Sequence, residues 1–162
     1  SEVALEEVAR EAGVGVGTLY RHFPTRQALL EAIFLDDAKE LTVLAEKLSL
    51  DGKPYEALVT WLRVQMAFGA RGRSLGAAVL NAKHTEGTEI YQSCVRMRAA
   101  GEVLLLRAQE AGQVRPDVLM TDLVKMIHGI VVINEQSNDD PGRVDRMFDL
   151  VMGGLRAGAG AP

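Results

Sequence analysis

Cysteine is nearly absent: Cys94 is the only one among 162 residues. A single thiol excludes an intrachain disulfide and any metal site built on paired cysteines, and it fits a reducing compartment. Long hydrophobic runs are missing too. The longest, Ile127 to Ile133, is interrupted by His128 and Gly129 and is far too short to span a bilayer. No secretory leader pattern opens the chain. It begins at Ser1, almost directly inside a helical pattern, and further residues are expected to precede it in the intact protein. Cations are not in excess, since 18 Lys and Arg stand against 22 Asp and Glu. Nucleic acid rewards clustered positive charge, so the overall balance gives no support to that partner. Strand alternation and internal repeats are absent as well.

What remains is helical. At 48% hydrophobic and 25% charged residues, the chain can bury a core without covalent staples. Apolar residues recur at spacings of three and four, punctuated by Gly and Pro, and eight helices are expected. They run from Leu5 to Ala12, Val16 to His22, Arg26 to Leu48, Pro54 to Ala70, a shorter one ending near Lys83, Gly87 to Ala111, Leu119 to Gln136, and Arg143 to Leu155. Gly13 suits a left-handed cap after the first helix. Thr25 suits the N-cap of the third. The seventh is apolar on almost every side, as a helix buried between neighbours is. Gly153 to Pro162 reads as a frayed tail.

Two short helices joined by a tight Gly-containing turn make a helix-turn-helix, whose second helix can enter the major groove. Here that helix presents Val16, Gly17, Thr18, Tyr20, Arg21 and His22. The hydroxyls of Thr18 and Tyr20 can reach phosphate oxygens, Arg21 and His22 can meet base edges or phosphates, and Val16 can touch a thymine methyl. Arg26 adds a cation in the first turn of the next helix. The plainer alternative is that glycine and short helices describe many loops.

The full string settles that choice. Leu5-Glu6-Glu7-Val8-Ala9-Arg10-Glu11-Ala12-Gly13-Val14, then Gly17-Thr18-Leu19-Tyr20-Arg21-His22-Phe23-Pro24, then Arg26-Gln27-Ala28-Leu29-Leu30 closely resembles the N-terminal signature of the TetR family of bacterial regulators. The resemblance implies an all-α protein, with an N-terminal helix-turn-helix headpiece lacking its first helix and a C-terminal antiparallel helical bundle. It implies that Val16 to His22 is the recognition helix, that Leu19 and Phe23 sit in the headpiece core, and that Arg26 stands where the family usually has a phosphate-contacting lysine. Residues 1–35 would bind double-stranded operator DNA, residues 36–157 would bind ligand and dimerise, and 158–162 would be a disordered tail. Two helix caps depart from the family pattern. Ala4 stands where a Ser or Thr is common, and Gly15 replaces the Ser that usually caps the recognition helix.

Other chemistries find no footing. Gly13 to Thr18 imitates a dinucleotide loop, but no strand precedes it and Thr18 occupies the last glycine position. His84-Thr85-Glu86 has the form of a zinc deaminase motif without its pair of cysteines. His22, His84 and His128 lack ligand spacing. No enzyme, cofactor or metal is expected, and no membrane.

A repressor also needs a partner subunit and a sensor. Two recognition helices must sit about 34–36 Å apart, so a C2 homodimer is expected. Met120, Leu123, Val124, Ile127, Val131, Val144, Met147, Phe148, Val151 and Leu155, on the last two helices, are candidates for an intermolecular four-helix bundle. They are equally good candidates for the monomer core. For a small-molecule effector, polar groups set in apolar stripes are the signal. Trp61, Gln65, Phe68, Tyr91, Met97, Arg98, His128 and Asn134 fit, with Trp61 and His128 as the leading pair, although each has an ordinary structural reading. Two rival functions remain at this point, a helical small-molecule-binding dimer that does not bind DNA and a purely structural helical scaffold.

Overall fold

The computed structural model describes residues 4–71, 85–135, 140, 142–156 and 158. Among these, seven helices form: α1 Leu5–Glu11, α2 Val16–His22, α3 Arg26–Ser49, α4 Pro54–Arg71, α5 Glu89–Glu110, α6 Met120–Glu135 and α7 Arg143–Gly154. The short helix expected to end near Lys83 lies outside the described residues. No strand occurs among them; the sole β feature is an isolated antiparallel bridge between Val114 and Arg156. It ties the α5–α6 connection to the end of α7, reinforced by the Arg115 amide donating to the Leu155 carbonyl at 2.9 Å.

The headpiece is small because it has few apolar residues to bury. Leu5 and Ala9 of α1 meet Leu19 of α2, with Val8, Phe23 and Leu29 packed around them. Gly13 makes the turn at φ +68°, and the Val14 amide donates back to the Ala9 carbonyl, a left-handed helix ending that favours glycine. The expected weak caps are weak: neither Ala4 nor Gly15 offers a side-chain hydrogen bond.

Thr25 does cap α3, its hydroxyl accepting from the Ala28 amide at 3.1 Å. Thr25→Ala should lower stability by about 1 kcal/mol. The check is the urea midpoint, which should fall at unchanged slope; an unmoved midpoint would mean that solvent replaces the cap.

Helix α3 has 24 residues, about 36 Å of rod, and its apolar stripe serves two clusters. Leu30, Phe34 and Leu35 pack with Ile90 and Cys94 at the start of α5. Farther along, Leu41 and Ala45 join the main core. That core lies between α3, α4, α5, α6 and α7, around Leu58, Trp61, Leu62, Leu104, Leu105, Leu123, Ile127 and Phe148. Arg63 fastens α7 to α4 from outside. Its guanidinium reaches Asp145 and Asp149 at 2.8 Å each and lies over the Phe148 ring.

Candidate DNA interface and effector site

On α2, burial of Leu19 alone orients the helix. Val16, Gly17, Thr18, Tyr20, Arg21 and His22 are all exposed, and a Cβ at Gly17 would meet nothing within 4 Å. The six expected contact residues therefore share an open surface, and Arg26 is half-buried beside it at the start of α3. Charge is mixed here. Arg10, Arg21 and Arg26 stand against Glu2, Glu6, Glu7, Glu11 and Glu31 in the first 35 residues, and Glu7 pairs with Arg10 at 3.4 Å.

Tyr20 has a partner that the sequence reading missed. Its hydroxyl donates to the Glu6 carboxylate at 2.7 Å. That bond holds the Glu6 carboxyl below its ordinary pKa and raises the Tyr20 phenol. The only sequence signal was a carboxylate and a phenol 14 residues apart, which means nothing until the turn folds α2 back on α1.

In the body, the sensor candidates separate. Trp61 is fully buried; its indole N–H donates to the Leu41 carbonyl at 2.9 Å, and its ring lies against Gly101. Its polar handle is already satisfied, and the ring belongs to the main core. His128 instead meets Gln65, with the Gln65 side-chain nitrogen 3.0 Å from His128 Nε2. Gln65 is only 3% exposed, and its Oε1 has no hydrogen-bond partner among the described residues. The His128 ring sits so close to Gly69 that a Cβ there would lie 2.8 Å from it. Phe68 and Met97 pack on the main core, and Tyr91 is half-buried where Thr88 caps α5. Arg98 points outward and is exposed, which removes it from any core-facing wall. Asn134 falls in the last turn of α6.

The apolar surface of the last two helices also differs from expectation. Met120, Leu123, Ile127, Val131, Phe148 and Leu155 are buried within the protomer's own core and leave little surface for a partner. Val124, Val144, Met147 and Val151 are half-buried. The exposed apolar residues are others: Leu119 at 56%, Met126 at 51%, Val132 at 46%, Ile133 at 54% and Leu150 at 76%. Met126 and Ile133, seven residues apart, share one face of α6, and Leu119 immediately precedes that helix. A further open groove of about 550 Å³ lies between α3 and α5, bordered by Lys39, Thr42, Ser93 and Arg96.

Two family models cover most of the chain. That described as "Bacterial regulatory proteins, tetR family" matches residues 1–33, and "Transcriptional regulator SbtR-like, C-terminal domain" matches residues 53–157. The chain belongs to the TetR family. Among solved structures, a TetR transcriptional regulator from Streptomyces coelicolor is 34% identical with a TM-score of 0.76, covering 97% of this chain and 89% of its own. A second, from Mycobacterium vanbaalenii, is 30% identical with a TM-score of 0.66, covering 95% and 83%. An uncharacterised HTH-type transcriptional regulator of Mycobacterium tuberculosis is 27% identical over 154 residues, 91% of this chain and 75% of its own length. The A-factor receptor protein of Streptomyces griseus is 30% identical over 151 residues, 88% of this chain and half of the receptor.

As a TetR-family member, the chain is a DNA-binding transcriptional regulator and not an enzyme. Its helix-turn-helix is α1 and α2. Among its described residues no helix is long and apolar enough to cross a membrane.

Proposed function

We propose that this regulator is a repressor, binding a palindromic operator as a homodimer through α2 and released by a small molecule held in its body. Residues 1–35 are the DNA-binding unit, 36–157 carry effector binding and dimerisation, 158–162 are a tail, and the protein acts in the cytoplasm. The observation that carries the reading is the exposed face of α2, which one buried leucine presents whole to solvent. In this reading Val16, Gly17 and Thr18 approach the bases, Arg21 and His22 reach base edges or phosphates, and Tyr20 and Arg26 hold phosphates.

The effector contacts Gln65 and His128, whose buried, incompletely bonded amide asks for a donor from a ligand. A relative named as a receptor, that for A-factor, supports an effector-responsive body. Helix α3 transmits the event, because it is the rod that packs on Ile90 and Cys94 at one end and on the main core at the other. The dimer forms on the exposed face of α6 and α7, along Leu119, Met126, Ile133 and Leu150. Effector can displace DNA only through its affinity difference between two conformations, so operator must weaken effector binding by the same factor.

One observation favours a second reading, a sensor without DNA binding: carboxylates outnumber arginines in the headpiece. A single experiment separates them. The full chain is titrated against duplexes it selects from a random-sequence pool, over a range of salt. Arg21→Ala should weaken binding at least about tenfold and lower the salt slope by about one unit for each phosphate no longer neutralised, with melting unchanged. Failure to select any duplex, from a folded protein, favours the sensor.

A further inference from the structure

We infer that Glu6 is an affinity-setting residue of the DNA interface, a carboxylate that holds the Tyr20 hydroxyl in place of a DNA phosphate. The inference rests on the proposal that α2 faces DNA. Glu6 sits in the first turn of α1 and Tyr20 in α2, and the turn at Gly13 brings them to 2.7 Å. Both side chains are exposed, so the bond stands at the surface that duplex must approach.

A phenol has one proton to donate, and a phosphodiester oxygen can only accept. Tyr20 therefore binds Glu6 or phosphate, not both. The two acceptors are also alike in charge, so a phosphate arriving at Tyr20 meets an anion already there. DNA binding must first part Tyr20 from Glu6, and exchanging one charge-assisted hydrogen bond for another leaves little net gain. Tyr20 contributes its full effect only when Glu6 has been turned aside. The acidic look of the headpiece thus has a local consequence: one of its carboxylates competes directly with the ligand.

Two variants separate the hydrogen bond from the charge. Glu6→Asp keeps the negative charge in the first turn of α1, which favours that helix, but shortens the arm by one methylene. Glu6→Gln keeps the length and removes the charge. With a short mixed-sequence duplex at low salt, Glu6→Asp should tighten binding by about three- to tenfold, the scale of one hydrogen bond. The gain should vanish in a Tyr20→Phe background, which a merely structural role for Glu6 would not produce. No tightening in a variant that melts like the parent overturns the inference, as does an equal gain without the Tyr20 hydroxyl.

If the parent chain binds no duplex, the DNA-facing reading falls first, and the Glu6–Tyr20 bond is judged in the free protein. The Tyr20 phenol, resolved as the absorbance difference between parent and Tyr20→Phe, should ionise at lower pH in Glu6→Gln. An unmoved titration overturns the bond itself.

Discussion

Gly101→Ala is expected to destabilise the body by about 1–3 kcal/mol, the usual cost of overpacking a filled core. A Cβ on Gly101 would lie 2.5 Å from Trp61 Cη2 and 2.8 Å from Cζ3. Those atoms belong to a rigid, fully buried ring whose indole N–H is fixed to the Leu41 carbonyl, so the clash cannot be relieved by rotating a flexible end. Helices α4 and α5 must instead separate, or the indole must break its bond to α3. Trp61→Ala should cost more, about 3–5 kcal/mol, because it leaves a cavity. Trp61→Phe combined with Gly101→Ala should be less damaged than the sum of the two, since the smaller ring makes room. Urea midpoints check all of these. Additive losses would mean that the two residues do not touch in solution.

The second large effect concerns the proposed dimer. Met126→Glu and Leu150→Glu place charges on the exposed α6–α7 face and should convert the protein to monomers at micromolar concentration. Binding to a palindromic duplex should then fall by about a hundredfold or more, because the second half-site loses the effective concentration that the partner headpiece supplies. Sedimentation velocity and operator titration are the readouts. Leu50→Glu is the control, since Leu50 is 87% exposed and, as the C-cap of α3, belongs to neither α6 nor α7. A dimer that survives both charged substitutions would move the interface elsewhere. Substituting Met120 or Ile127 would not test this, because those side chains lie in the protomer core and their loss unfolds it.

This distinction marks where sequence reading stops. Helix α6 is apolar nearly all round, so periodicity could not say which face looks inward. Six of the residues expected at the interface fill the core instead, and the exposed seam runs along Leu119, Met126 and Ile133. The effector candidates separated for the same kind of reason. Trp61 and His128 both read as aromatic groups in an apolar stripe, yet the approach of α5 at Gly101 encloses one, while the other turns to Gln65.

The headpiece was far more legible, because its structure is local. Leu5, Ala9 and Leu19 form its core through contacts within 14 residues of one another, and the turn depends on a glycine that readily tolerates φ near +68°. Helix positions, the Thr25 cap, the missing caps at Ala4 and Gly15 and the exposed face of α2 all follow from such short-range constraints. Sequence by itself therefore determined the all-helical class, the helix-turn-helix and the family it resembles. Only tertiary packing decided which apolar faces are inside, which polar groups lack partners, and that Glu6 reaches Tyr20, because each depends on two separate helices meeting at a distance that no single helix encodes.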